Sequence, residues 1–304
     1  MKLAVAASPH IHSGSSTSSI MRDVVIALMP TLAASVWIFG WRSLLVTAVC
    51  AGSCVFFEWG YEKLNKMPVT VGDLSAVVTG VLLAFNLPAA IPLWQAVFGC
   101  LVAIVAVKML FGGIGKNFAN PAITARIVLL LAFSTSMTHW VFPDALSGAT
   151  PLAIIKSGDL ASLPPLGSML LGRHAGCIGE TCIAALLLGF AYLLIRKVIS
   201  WHTPVVYIAT VFLFTLALGR EPVYQILSGS LVLGAVYMAT DYSTTPSTNW
   251  GRVIFGFGCG ILTVLIRVYG SYAEGVSFSI LFMNILTPYI SRWTASRPFG
   301  GVKA

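Results

Sequence analysis

Charge is what this sequence has least of. Asp, Glu, Lys and Arg make up 9% of its 304 residues and hydrophobic residues 57%, with a mean hydropathy of +0.89. About a quarter of a soluble domain is charged, so a soluble fold is excluded and an integral membrane protein is expected. Acidic residues are scarcest, 10 against 18 Lys and Arg. In a membrane chain that excess marks basic cytoplasmic loops, so it is not read as nucleic-acid binding. Cysteine is sparse and poorly spaced for metals. Cys50, Cys54, Cys100, Cys177, Cys182 and Cys259 include no C-x-x-C pair, so no iron-sulfur or zinc site is expected within this chain. Whether Cys177 and Cys182 bridge in an oxidising compartment is left open. His139, His174 and His202 have no ligand spacing, and no Ser-His-Asp or Cys-His arrangement can be read. The N-terminal MKLAVAASPHIHSGSSTSS has no long apolar core followed by a cleavage site, so it is expected to remain as a short polar arm.

Long apolar runs, by contrast, fill the chain. A membrane-crossing helix needs about 20 mainly apolar residues, fewer where it is re-entrant or buried among neighbours. Ten runs qualify, near 23–40, 43–60, 74–88, 92–111, 120–139, 180–196, 203–219, 222–240, 252–269 and 275–291. The expected fold is therefore all-α and polytopic, with about ten transmembrane helices. It divides into an arm at 1–22, a five-helix half at 23–139, a loop at 140–179, a second five-helix half at 180–291 and a tail at 292–304. An odd number of spans per half forces opposite orientations, so any structural repeat is inverted, with sites at its interface. The third run closes on Phe85-Asn86-Leu87-Pro88, a helix break; the expected counterpart is the end of the eighth, at Met238 to Pro246.

The positive charges orient these spans. With the N-terminus inside, Lys2, Arg22, Lys63, Lys66, Lys116, Arg196, Lys197, Arg252, Arg292, Arg297 and Lys303 are cytoplasmic, eleven in all. Arg42, Lys156, Arg173, Arg220 and Arg267 are outside. The bias makes both termini cytoplasmic and the 140–179 loop extracytoplasmic. The eight Trp lie near expected span ends, as interfacial anchors do.

The outer loop contains Asp144-Ala-Leu-Ser147-Gly148-Ala149-Thr150. Gly148 and Ala149 leave the Thr150 hydroxyl open to an enzyme, and Asp144 and Ser147 offer polar handles. This stretch resembles the flavinylation motif, Asp-x-x-Ser/Thr-Gly-Ala-Thr, of the NqrB and RnfD family of membrane redox subunits, with no departure. The resemblance extends over nearly the whole chain, through Ser8-Pro9-His10, Ile20 to Asp23, Ala27 to Pro30, Gly80 to Pro88, Phe111 to Ala122, Met238 to Asp241 and Tyr272 to Gly275. It implies FMN joined to Thr150 by a phosphodiester, a flavin transferase to attach it, and a second, non-covalent flavin, riboflavin, in the membrane part. Within the family, the D subunit of the Rnf complex, an ion-translocating ferredoxin:NAD oxidoreductase of bacterial or archaeal cytoplasmic membranes, fits best. The B subunit of the sodium-pumping NADH:quinone reductase usually has a longer N-terminal region.

Gly112, Gly113, Gly115 and Lys116 resemble a phosphate loop superficially. No strand precedes them and no Ser or Thr follows Lys116, so nucleotide hydrolysis and a dinucleotide fold are discarded. What remains is an irregular backbone entering a helix at Asn120-Pro121, where Pro's missing N–H is harmless. It is either a capping turn or, with Lys116, Asn117, Asn120 and the buried Arg126, the seat of the second flavin. Ionisable groups inside the apolar zone cost about 2.5–3.5 kcal/mol each. Arg126 therefore needs a buried acid or flavin oxygens, and a structural pairing is as good a reading as a cofactor contact. Asp73, Asp241 and Glu274, at span ends, are either helix caps or points on a sodium or proton path, since hard carboxylate oxygens suit those ions. Asp23 reads as a helix N-terminal charge.

The expected function is electron transfer through flavin on the outer face and a second flavin deeper in the bundle, coupled to sodium or proton export. The chain has no nucleotide fold for NAD and no cysteine set for clusters, so partner subunits must supply both. The rival from another class is a secondary transporter, for which inverted halves and broken helices argue equally; it has no need of the Thr150 loop.

Overall fold

The computed structural model describes residues 16–140, 148–272 and 274–295. Most of the arm, most of the tail, and Asp144 and Ser147 of the loop lie outside the described residues, as do Lys2, Arg297 and Lys303. All regular structure among the described residues is helical. The first group comprises α1 (Thr17–Phe39), α2 (Trp41–Leu64), α3 (Ser75–Phe85), α4 (Leu93–Met109) and α5 (Pro121–Ala132), followed by a turn, α6 (Ser134–Met137). Two short helices, α7 (Pro151–Ser157) and α8 (Leu166–Leu171), lie in the connection. The second group comprises α9 (Ile183–Ile195), α10 (His202–Ala217), α11 (Pro222–Leu227), α12 (Leu231–Leu233), α13 (Asn249–Tyr269) and α14 (Val276–Thr294). Helix α12 runs directly into a π-helical turn, Gly234–Met238, and the last part of α4 is π-helical as well. The groups join where α1 packs on α9 and α5 packs on α14.

Three of these helices, Thr17–Phe39, Trp41–Leu64 and Asn249–Tyr269, are long and apolar enough to cross a membrane unaided. Five more apolar helices are shorter, at 10–17 residues, and at the end of α3 the chain breaks inside the bundle. At about 1.5 Å per residue, α3 is near 16 Å long, half the hydrocarbon thickness of about 30 Å. Non-helical backbone at that depth must find protein partners, and it finds them in the connection. Ile178 N–H donates to Leu87 O (3.0 Å), Gly179 N–H to Phe85 O (2.9 Å) and the Cys177 thiol to Asn86 O (3.3 Å). Only glycine fits at 179, since a Cβ there would stand 2.3 Å from Phe85.

The eighth run departs from expectation. Its polar break at Met238 is present, but the helix is also interrupted at 228–230, where Gly229 takes a φ of +68°. Ionic groups hold that interruption open: the buried Arg267 donates to Ser228 O (3.2 Å) and Ser230 N–H donates to the partly buried Glu274 (2.8 Å). The fifth run also ends early, at Ala132. Asp23 is not in the first turn, because the polar residues from Thr17 extend α1 back to an N-cap at Ser16. It is buried and receives Arg196 (3.2 Å) and Tyr192 (3.1 Å) from the end of α9. Trp37, Trp41, Trp94, Trp201, Trp250 and Trp293 are exposed within a few residues of helix ends, as interfacial anchors would be.

Candidate cofactor cavities

Helix α5 organises two cavities. Its N-cap is Asn120, whose side-chain oxygen accepts from the N–H groups of Ala122 (3.1 Å) and Ile123 (3.3 Å), with Pro121 in the first turn. The Asn120 amide reaches Met238 O (3.4 Å). Asn284 of α14, with its amide turned to satisfy both neighbours, accepts from Asn120 N–H and donates to Thr244 O, each at 3.1 Å. The expected irregular entry at 112–119 is present, with Gly112, Gly113 and Gly115 all at positive φ.

Around this helix start lie three cavities that share Asp241 and Tyr242, of about 90, 400 and 300 Å³. The innermost is lined by Lys108, Asn117, Asn120, Tyr237, Thr240 and Asp241, among others. Alone it is too small for a cofactor, whose sites run from about 300 Å³ upward; the outer two bring the space into that range. Asn117 Oδ1 is buried there without a donor, so an acceptor is on offer. Asp241 is partly buried and accepts from Ser243 (2.9 Å) and Thr244 (3.1 Å); burial pushes its carboxyl up, against those bonds. Lys116 is exposed, its chain lying beside Gly112.

The second cavity, about 370 Å³, lies two turns along α5 and is lined by Arg126, Trp140, Thr150, Glu180, Tyr272 and Glu274, among others, including Gly148 and Ala149. Thr150 is the N-cap of α7, its Oγ1 accepting from Ala153 N–H (3.3 Å), and it is partly buried while Ala149 is exposed. Gly148 N–H donates to Trp140 O (3.4 Å). Arg126, 5% exposed, donates to Ser230 Oγ (3.2 Å), Ser277 Oγ (2.6 Å) and Glu274 Oε2. The acid it requires is thus Glu274, partly buried, from the link between α13 and α14. Burial alone would raise the Glu274 carboxyl, but Arg126 and the Ser230 N–H outweigh it and hold it below the usual carboxylate range.

The residues read from the sequence therefore separate. Asn117, Asn120 and Asp241 come together at one cavity, and Thr150, Arg126 and Glu274 at the other. Asp73 lines neither; it caps α3 by accepting from Ser75 N–H (2.7 Å) and Ser75 Oγ (2.5 Å), Ser75 itself being in the wall of the first cavity. The sequence reading missed a buried ion pair, Lys108 with Glu58, at 2.8 Å to each oxygen, completed by Ser75 Oγ at 2.6 Å. Its only signal was one charge in each of two apolar runs. It also missed Glu180. Cys177 and Cys182 are free thiols, the latter donating to Leu170 O (3.9 Å), and no metal-binding cluster occurs among the described residues.

Known proteins can be set beside this geometry. The chain matches the NQR2, RnfD, RnfE family over residues 4–300. It belongs to that family. A relative in Acetobacterium woodii, the D subunit of a Na(+)-translocating ferredoxin:NAD(+) oxidoreductase complex, is 46% identical, covering all of this chain and 97% of its own length. The D subunit of the proton-translocating ferredoxin:NAD(+) oxidoreductase complex of Clostridium ljungdahlii is 40% identical over 97% of this chain and 96% of its own. A third, the D subunit of the ion-translocating oxidoreductase complex of Halorhodospira halophila, is 34% identical over 97% of this chain and 95% of its own. Two members so similar to this chain are named for different ions, so family membership leaves the ion undecided.

Proposed function

We propose that this chain is the flavin-carrying D subunit of an ion-translocating ferredoxin:NAD oxidoreductase in the membrane, with FMN on Thr150 and a second flavin beside Asn117 and Asn120. The observation that carries the reading is the placement of Thr150. A threonine at the end of the Asp144 to Thr150 motif opens onto a cavity of cofactor size that has an apolar wall with Trp140 and Tyr272 and a polar wall with Arg126. That lining suits a planar ring with a polar edge. Thr150 Oγ1 would hold the FMN phosphate, and Arg126 the polar edge of the ring. Asn117, with its unpartnered oxygen, and Asn120 would hold the second flavin, with Asp241 across the cavity. When bound, the isoalloxazine supplies reversible electron acceptance; the chain orients it and tunes it by burial and hydrogen bonding.

The two sites share α5, and Asn120 and Arg126 are separated by about 9 Å of helical rise. This short separation favours a direct electron route through one subunit. In the membrane, the ten apolar runs form the spans, and the break after α3 and the break that ends the eighth run, which meet where Asn86 reaches Met238 (3.6 Å), are the broken helices of two inverted halves. The outer face carries Thr150, Lys156 and Arg267; the cytoplasmic face carries Arg196, Lys197 and Arg252. Other subunits supply NAD and iron-sulfur chemistry, and a flavin transferase attaches the FMN.

The test is the intact mass and in-gel flavin fluorescence of the denatured subunit, made in a host with an active transferase, beside Thr150→Ala. Wild type should fluoresce and be heavier by one FMN less one water, and the variant should do neither. Unmodified wild type, with the transferase active on a control, overturns the electron-carrier reading and favours the transporter alternative.

A further inference from the structure

Glu180 belongs to no motif, yet it is the least satisfied charged group at the Thr150 cavity. It is 4% exposed. Its Oε1 accepts from Cys177 N–H (2.9 Å), and its Oε2 is buried without any donor, in the wall of the cavity that Thr150 also lines. The groups facing it come from several elements. Arg126 of α5, Arg267 of α13 and Glu274 of the α13–α14 link are the charges that interact with it. Its own segment adds the Cys177 thiol. Arg267 of α13 lies beyond Gly229 and is engaged by Gln225 and Ser228.

Glu274 already takes the Arg126 charge. Its oxygens receive Arg126, Ser230 N–H and Ser230 Oγ, so the pair is neutral and its carboxylate satisfied. Arg126 and the buried Arg267, which also acts on both acids, therefore stand against two carboxyl groups, and the cluster is electrically neutral with both ionised; an arriving electron leaves one negative charge in excess. An uncompensated charge in a low-dielectric site is costly. Glu180 Oε2, which has no donor, is the atom with room for a proton that cancels it.

We infer that Glu180 is a proton-binding site of the flavin cavity, holding the proton that offsets the charge of an electron arriving there. The inference rests on the assignment of flavin to Thr150. The balance is simple. A one-electron donor of the complex brings one negative charge into the cavity, and the aqueous phase on the Thr150 side supplies one proton. The bond formed is O–H at Glu180 Oε2, and nothing in the chain is itself oxidised or reduced. When the electron leaves, the O–H bond breaks and the proton returns to water.

The experiment uses the assembled complex carrying wild type, Glu180→Gln or Glu180→Asp, with covalent flavin checked by in-gel fluorescence. Redox-difference infrared spectra should show a protonated-carboxyl band that grows on reduction, shifts in D2O and vanishes in Glu180→Gln. The midpoint potential of that flavin should lose one proton's share of its pH dependence in Glu180→Gln, a tenfold change in equilibrium per pH unit, about 59 mV for one electron. Glu180→Asp, which keeps the carboxyl, should keep a displaced band; it serves as the test should Glu180→Gln fail to assemble. Flavin-loaded Glu180→Gln with the wild-type band and pH profile, or Glu180→Asp with no band, overturns the inference and leaves the flavin assignment standing. Wild type without flavin overturns both.

Discussion

Removing the Lys108 ammonium leaves the Glu58 carboxylate alone in the bundle. The pair is dry, with side chains 3% and 1% exposed, and Lys108 spends its hydrogens on both Glu58 oxygens and Ser75 Oγ. Two opposing magnitudes decide the outcome. Each isolated charge costs about 2.5–3.5 kcal/mol at membrane depth, and breaking a buried pair by deleting one partner costs about 3–5 kcal/mol. Lys108→Met should therefore destabilise by about 3–5 kcal/mol, and Glu58→Gln by a similar amount, because the stranded partner keeps its desolvation cost. The double variant strands nothing and should lie within about 2 kcal/mol of wild type, since replacing both members of such a pair is often neutral. Arg196→Ala, which breaks a pair whose arginine is 51% exposed and leaves the 8% exposed Asp23 with Tyr192 as a donor, is the milder case and should cost about 1–3 kcal/mol. Reversible unfolding in mixed micelles reads all four. If Lys108→Met costs less than about 1 kcal/mol, or if the double variant loses the sum of the singles, the pair is not a mutually dependent unit and the reasoning fails.

Two further outcomes follow from the cavity walls. Arg126 holds the Glu274 carboxyl below its ordinary value, so this group adds stability above its unfolded pKa, about 4.3, and loses it as pH falls from there toward the folded value. Thermal unfolding in detergent between about pH 6 and pH 3 should therefore steepen with acid in wild type and less so in Glu274→Gln; equal slopes refute the assignment. Gly179→Ala would press a methyl group to within 2.3 Å of Phe85. It should cost about 1–3 kcal/mol through overpacking and raise amide exchange at Ile178 and residue 179, whose N–H groups cap the break in α3; unchanged exchange would show that the loop does not depend on that contact.

Much of this protein is determined by its one-dimensional pattern. The scarcity of charge and the length of the apolar runs require helices, because only helices satisfy their own backbone without water. The breaks at Pro88 and after Met238, the Asn120-Pro121 helix start and the Gly112 to Gly115 entry are local, set by proline geometry, side-chain capping and positive φ, and so they are legible in sequence. Thr150 was marked by a seven-residue motif that needs no partner in space. Other features depend on which segments meet. The interruption at 228–230 exists because Arg267 and Glu274, 39 and 44 residues away, replace the missing helical bonds, and no local signal announces it. Arg126 demanded a buried acid, but only the packing of α5 against α14 selected Glu274 from 148 residues away. Glu58 and Lys108 were two unremarked charges until α2 and α4 met. Glu180 lies in no motif; it became a candidate because the fold buried one of its oxygens, without a donor, in the wall that Thr150 lines. A buried charge states in sequence that it needs a partner, but its distance dependence lets the tertiary structure alone choose which one.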